Sequence, residues 1–275
     1  MRNNLKISFV GGGNMAAALI GGLAGKLTAG SNIHVVDINP EALQYLSRRY
    51  GTSTSQQIGS DLSASDVIVL ALKPQQMREA VLELAPFVTP RQLILSIAAG
   101  ICSTDLSRWL KGHRAIVRTM PNTPALIGQG ITGLAAMDGV IPEQITLADS
   151  IMRAAGATIW LENESQIDAI TALSGSGPGY VFYFIEAMQQ AALELGLNAE
   201  QGRQLAVATF LGASQLATQV TEPISELRER VTSKGGTTFA ALSSLETSGV
   251  SLSIINAIKS AAIRSKELGE EYGID

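Results

Sequence analysis

Ile7-Ser8-Phe9-Val10 is a short β-type run that enters Gly11-Gly12-Gly13-Asn14-Met15-Ala16 directly, and an apolar helical pattern continues through Ala18, Leu19, Ile20, Leu23 and Leu27. A strand, a glycine turn and a helix in immediate succession leave few folds open. Gly11, Gly13 and Ala16 match the G-x-G-x-x-G/A fingerprint in the context that it requires. Gly11 permits the tight turn, Gly13 lets backbone approach a pyrophosphate, and Ala16 lets helix and strand pack closely, with Asn14 and Met15 between them at the helix start. Ile33-His34-Val35-Val36-Asp37 then supplies a second strand ending in an acid, about twenty residues on, where a ribose 2′-hydroxyl would be met. The reading is an α/β Rossmann domain with a mostly parallel, doubly wound sheet that binds a dinucleotide.

The alternation continues. Pro40 to Tyr50 reads as a helix and Val67-Ile68-Val69-Leu70-Ala71-Leu72 as a strand buried on both faces. Lys73-Pro74 ends that strand, and Gln76 to Leu84 is helical. Leu93 to Ile97 is the next strand, followed by Ala98-Ala99-Gly100, and Ser103 is placed to cap a helix through Leu110. Ala115 to Arg118 runs into Thr119-Met120-Pro121-Asn122-Thr123-Pro124. Ligands of open α/β sheets bind beyond the carboxyl ends of the strands, so Ala71, Lys73, Pro74, Ala98, Met120 and Asn122 join the cofactor-side candidates. Asn122 is either a nicotinamide or ribose partner or a turn residue. Ile131 to Ala136 and Ala157 to Trp160 read as added strands around a helix from Ile141 to Ala155. The nucleotide domain is expected to span 1–161.

Past Glu162-Asn163-Glu164 the strand signals fade, and 162–275 is expected to be an all-α domain. Leu173-Ser174-Gly175-Ser176-Gly177-Pro178-Gly179-Tyr180 opens a helix with a Ser cap and a first-turn Pro. Val181, Phe184, Ile185, Met188, Ala192 and Leu195 form its apolar stripe. Gln201 to Val220, Ile224 to Val231, Phe239 to Leu245 and Ser251 to Leu268 are further helices. Leu205, Val207, Phe210, Leu211 and Leu216 cover more than one face, which calls for a subunit interface. A net charge of −4 over 275 residues gives no electrostatic reason for nucleic acid or an anionic membrane as partner. Cys102 is the single cysteine, in keeping with a reducing compartment, and no apolar run reaches membrane-spanning length, so a cytoplasmic protein is expected.

Val231-Thr232-Ser233-Lys234-Gly235-Gly236-Thr237-Thr238 leads into Phe239-Ala240-Ala241-Leu242. Hydroxyl pairs flank a Gly-Gly hinge just ahead of a helix, whose first N–H groups lack intrahelical partners and whose dipole favours an anion. Such a loop suits a small carboxylate; the plain alternative is an N-cap at Thr237 or Thr238. Acid–base apparatus is otherwise sparse. His34 and His113 lie in or beside strands, no Ser-His-Asp set is present, and no residue cluster has metal-ligand spacing, so no metal is expected. A hydride acceptor that arrives already protonated, such as a cyclic iminium, needs no strong enzymic acid.

These motifs together resemble the Δ1-pyrroline-5-carboxylate reductase family. The resemblance rests on Phe9 to Ala16, Ala71-Leu72-Lys73-Pro74, Arg118 to Pro124, Leu173 to Pro178 and Pro223 through Glu246, nearly the whole chain in order. It implies the last step of proline biosynthesis, a Rossmann domain with a helical dimerisation domain, and dimers that often assemble into decamers. It further implies that Ser233, Gly235, Gly236 and Thr237 hold the substrate carboxylate, largely through backbone N–H groups. Thr238 would set its hydroxyl on the ring nitrogen as the catalytic contact, and Glu222 would be an acid of the substrate site. Two positions depart from the family: Lys234 where many members carry Pro, and Gly179 where Ala is usual.

Two signals pull apart on cofactor choice. Family habit favours NADPH, whereas Asp37-Ile38-Asn39-Pro40 offers a carboxylate and no basic residue before Arg48, which leans toward NADH. Two other readings compete. A β-hydroxyacid dehydrogenase would need a Lys on an early helix of the second domain, and Phe182 to Leu195 has none. A non-catalytic dinucleotide sensor would have no use for the Ser-Lys-Gly-Gly-Thr-Thr loop.

Overall fold

The structure is a computed structural model and describes residues 4–273. Its elements begin with β1 (Ile7–Val10), α1 (Asn14–Leu23), β2 (Ile33–Val36), α2 (Pro40–Tyr50) and β3 (Ser53–Ser55). They continue through β4 (Val67–Leu70), α3 (Pro74–Leu84), β5 (Leu93–Ser96), α4 (Ser103–Trp109) and β6 (Ile116–Met120). Then come β7 (Gly130–Ala136), α5 (Pro142–Arg153), β8 (Gly156–Trp160) and α6 (Ile167–Ile170). The chain closes with α7 (Gly177–Glu194), α8 (Ala199–Thr218), α9 (Ile224–Arg230), α10 (Thr237–Thr247) and α11 (Val250–Tyr272).

The eight strands lie in the order β3-β2-β1-β4-β5-β6-β7-β8. All pairs from β3 to β6 are parallel, because each connection crosses over through a helix or a longer segment. β6 and β7 are joined instead by a loop holding a single 3₁₀ segment, Thr123–Ile127, and β7 returns antiparallel. The α5 crossover then sets β8 parallel to β7. Alternate side chains of the central strands feed two cores. Ile7, Phe9, Val35, Val69 and Leu95 face α1, α2 and α5, while Val10, Val36, Ile68, Leu70 and Ile94 face α3 and α4. Burial on both faces is why these strands are continuous apolar runs.

Three sequence expectations change in detail. β3 is Ser-Thr-Ser at the sheet edge, a run with no hydrophobic signal to announce it. Ser103 is the first residue of α4 and Cys102 is its N-cap; the Ser103 hydroxyl donates to the Glu164 carboxylate instead of capping. The Leu173–Tyr180 stretch does not begin a helix at a Ser cap. The chain is already helical in α6, widens into a π turn at Thr171–Gly175 and resumes at Gly177. The Ser174 hydroxyl accordingly turns back to donate to the Ile170 carbonyl at 3.0 Å.

Two compact units result, Met1–Ser176 with Ala261–Asp275, and Gly177–Ser260. In the sheet unit the end of α11 is tied down by Ser265 Oγ donating to Asp168 at 2.7 Å and by Arg108 donating to the Gly273 carbonyl at 2.6 Å. In the helical unit few side chains are buried; on α7 and α8 only Ala192, Gly202 and Ala206 are. Phe182 is 61% exposed, Leu211 52% and Ile224 65%, an amount of open apolar surface that a monomer seldom carries. No single helix among the described residues is long and apolar enough to cross a membrane.

Candidate active site

The sheet unit holds the nucleotide candidates. Gly11 has φ +103°, and a Cβ there would strike the Ala71 carbonyl, so only glycine fits between the β1 turn and the end of β4. Gly13 is the N-cap of α1, with extended backbone, no side-chain cap and open space where a Cβ would project. No acidic residue occupies the first turn, and Asn14 is exposed beside it. A pyrophosphate therefore meets unobstructed N–H groups and the positive end of the helix, so these residues fit a dinucleotide. Met15 is half-buried and packs against the core below.

Asp37 closes the turn. Its Oδ2 accepts the Gly12 N–H at 2.6 Å and its Oδ1 the Asn39 N–H at 2.8 Å. Asn39 in turn caps α2, its Oδ1 accepting the N–H groups of Glu41 and Ala42. Beyond Val10 and Val36 a groove of about 500 Å³ opens beside Asp37, walled by Ile38, Gln56, Gln57, Ile58 and Gln76 among others. Gln56 and Gln57 belong to the loop around Ser53 to Gln57, which the sequence offers as an alternative source of phosphate donors if Asp37 turns away; Ile58 and Gln76 carry no sequence signal of their own. Lys73 is the exposed N-cap of α3 and Pro74 its first residue.

Ala98 is buried after β5. Met120 ends β6 against Gly175. Asn122 is built into the fold: its Nδ2 donates to the Ser174 carbonyl at 3.1 Å and its Oδ1 accepts the Ile131 N–H at 3.0 Å. The Ser174 carbonyl is free for this contact because its helical partner four residues on would be Pro178, which has no N–H to give. Behind this loop lies a cluster that sequence reasoning missed. Arg118, with a side chain only 2% exposed, donates to Glu164 at 3.2 Å, and Glu164 also accepts the Ser103 N–H at 2.6 Å.

The helical unit, taken by itself, holds the carboxylate-loop candidates. α10 starts at Thr237 with Gly236 as N-cap and no side-chain cap, so neither Thr237 nor Thr238 is spent as a cap. Gly235 has φ +74°, a turn glycine. The Gly236 N–H donates to the Ser233 carbonyl at 2.9 Å, closing the loop on itself. The Ala240 N–H makes the first helical bond, to the Gly236 carbonyl at 3.1 Å, so the N–H groups of Thr237, Thr238 and Phe239 precede it. Glu222 faces its neighbour across α9: Arg230 donates to it at 2.9 Å and holds its carboxyl below the usual range.

The histidines are occupied elsewhere. His34 Nδ1 is 2.9 Å from Ser53 Oγ and His113 Nε2 is 3.0 Å from the Gln92 carbonyl, and burial pushes both imidazoles down. Among the described residues no three His, Cys, Asp or Glu side chains are grouped to hold a metal ion.

Known families match both parts of the chain. The family described as pyrroline-5-carboxylate reductase dimerisation matches residues 164–268, and the family described as NADP oxidoreductase coenzyme F420-dependent matches 6–100. The pyrroline-5-carboxylate reductase of Pseudomonas aeruginosa is 42% identical over 268 residues, covering 98% of this chain and 98% of its own. This chain belongs to the pyrroline-5-carboxylate reductase family.

Solved members of the family have the same fold. The pyrroline-5-carboxylate reductase of Coxiella burnetii is 40% identical, with a TM-score of 0.89 over 97% of this chain and 99% of that one. That of Plasmodium falciparum, solved with NADP bound, is 27% identical with a TM-score of 0.87, over 97% and 99%. The chain thus carries the family's dimerisation domain, which accounts for the open apolar faces of its helical unit.

Proposed function

We propose that the chain reduces the C=N bond of Δ1-pyrroline-5-carboxylate with NADH or NADPH, giving L-proline in the last step of proline biosynthesis. The observation that carries this reading is the uncapped start of α10. A loop of Ser233, Gly235 and Gly236 leads straight into unpaired first-turn N–H groups at Thr237 and Thr238. That arrangement holds a carboxylate against a helix N-terminus. Gly236 contributes shape, since its own N–H already serves Ser233, and a Cβ at Gly236 would press on Ser233 Oγ.

The cofactor, when bound, supplies a hydride. The chain's residues supply position. Gly11, Gly13 and Asn14 receive the pyrophosphate, Asp37 the adenosine ribose, and Ala71, Lys73, Pro74, Ala98 and Met120 border the strand ends. Asn122 acts indirectly, by holding its loop against Ser174. Thr238 donates to or accepts from the ring nitrogen as it changes from iminium to amine, so its contact matters most where charge changes. The iminium brings its own proton, which suits a site whose histidines are held neutral elsewhere. Glu222, ionised and paired with Arg230, shapes the approach to the loop.

The functional division is 1–161 for the nucleotide and 162–275 for substrate and dimerisation, supported by a family match that begins at 164. Assembly of dimers into decamers and a cytoplasmic setting belong to the same reading, the latter in keeping with a single cysteine. The test is consumption of reduced cofactor on adding pyrroline-5-carboxylate, with proline quantified as product. A folded chain that consumes neither cofactor refutes the reading. A β-hydroxyacid dehydrogenase would instead oxidise a hydroxyacid, and α7 offers no Lys for that chemistry.

A further inference from the structure

We infer that Asp37 is a specificity-determining residue that makes this chain prefer NADH over NADPH, a statement that rests on the nucleotide half of the proposed site. Three observations carry it. Asp37 is held in place from both ends, by the Gly12 N–H at 2.6 Å and the Asn39 N–H at 2.8 Å, so it cannot swing aside for a 2′-phosphate without breaking the turn. A carboxylate offers about four lone-pair sites, and two are used, so each oxygen keeps one for a ribose hydroxyl. A diol is therefore matched, and a phosphate is opposed.

The second observation is the charge around it. Among the described residues that wall the adjoining groove none is basic, and two, Glu79 and Glu83, are acidic. Neither arginine of α2 lines this groove; Arg49 lies over the Tyr50 ring and donates to its hydroxyl at 3.1 Å.

The third is the loop after β3, the other source of phosphate donors. Its donors are turned inward. Ser55 Oγ donates to the Gln57 carbonyl at 2.8 Å and accepts the Gln57 N–H at 3.1 Å, while the Ser53 hydroxyl reaches the Ile33 carbonyl. The side chains that this stretch adds to the groove wall, Gln56 and Gln57, are neutral amides with no charge to offer a dianion.

Repulsion between a pinned carboxylate and a phosphate, together with lost hydroxyl contacts, amounts to about a tenfold preference. The experiment titrates NADH and NADPH separately into the full-length protein without substrate, following cofactor fluorescence, at low and high salt. NADH is expected to bind about tenfold more tightly, with the gap narrowing as salt screens the repulsion. Asp37→Ser is expected to reverse the order. Asp37→Asn, which keeps shape and one acceptor while removing charge, should strengthen NADPH binding with a smaller loss for NADH, and it serves where the Ser variant does not fold. Wild-type protein that binds NADPH as tightly as NADH overturns the inference. So do Asp37 variants that lose both cofactors equally, which would make the residue a turn support alone. Failure to reduce pyrroline-5-carboxylate with either cofactor would count against the proposed activity instead, since the titration contains no substrate.

Discussion

Replacing Glu164 by Ala removes the one ion-pair partner that a buried guanidinium has among the described residues. Arg118 is 2% exposed, and among the described residues its Nη1 meets Glu164 at 3.2 Å and, more weakly, Cys102 Sγ at 3.9 Å, so Glu164 carries most of the compensation of that charge. Removing one member of a buried pair costs about 3–5 kcal/mol. Glu164 itself is 28% exposed, so water can enter where it stood, which puts the expected loss near ~3 kcal/mol. The Ser103 N–H and hydroxyl lose their acceptor at the same time. For a chain of this size that corresponds to a fall in melting temperature of roughly 6–12 °C. The assay is reversible urea or thermal unfolding at fixed protein concentration, because dissociation of subunits shifts apparent stability. A double-mutant cycle isolates the charge: Glu164→Ala combined with Arg118→Met should cost well under the sum of the two single changes. A Glu164→Ala protein within about 0.5 kcal/mol of wild type, or a strictly additive cycle, would refute the reasoning.

Other outcomes follow from the same structure. Thr238→Ala should lower turnover while leaving cofactor binding nearly unchanged, with a loss of about 1.5–3 kcal/mol in transition-state stabilisation; an unchanged rate in a folded mutant removes it from the mechanism. Leu211→Glu on the open face of α8 should shift the protein from dimer or larger toward monomer in light scattering, and an unaltered mass would place the interface elsewhere. His34 and His113 are pushed by burial below their ordinary value of 6.5, so the unfolded chain binds more protons near and below that pH. Stability is therefore complete above pH 6.5 and declines as pH falls through it; unfolding midpoints at about pH 7.5 and about pH 5.5 measure the loss, and His113→Gln should make it smaller. Asp149 has its carboxyl drawn down, since bonds from Arg153, Thr158 and Trp160 outweigh the opposing effect of burial. Asp149→Ala should loosen β8 from α5 by about 1–3 kcal/mol, read as a lower urea midpoint.

Sequence alone determined those features whose cause is local. Gly11, Gly13 and Ala16 after an apolar run dictate a turn of one kind, and fully apolar strands such as Val67–Leu70 announce burial on both faces, because alternation disappears only when neither face meets water. The Ser233–Thr238 loop was legible for the same reason, its glycines and hydroxyls sitting next to a helix start. Tertiary structure decided what depends on partners far away in the chain. The Ser-Thr-Ser edge strand exists only because β2 offers it hydrogen bonds. Ser103 abandons its capping role because Glu164, sixty-one residues later, arrives at its hydroxyl. Asn122 reads as a turn residue or a ligand until the fold brings it to the Ser174 carbonyl, which Pro178 leaves without a helical partner. Asp37 is the sharpest case. Its position at a strand end is local, but the two N–H groups that immobilise it come from a glycine turn twenty-five residues away and from its own cap, and only the folded chain brings them to one carboxylate.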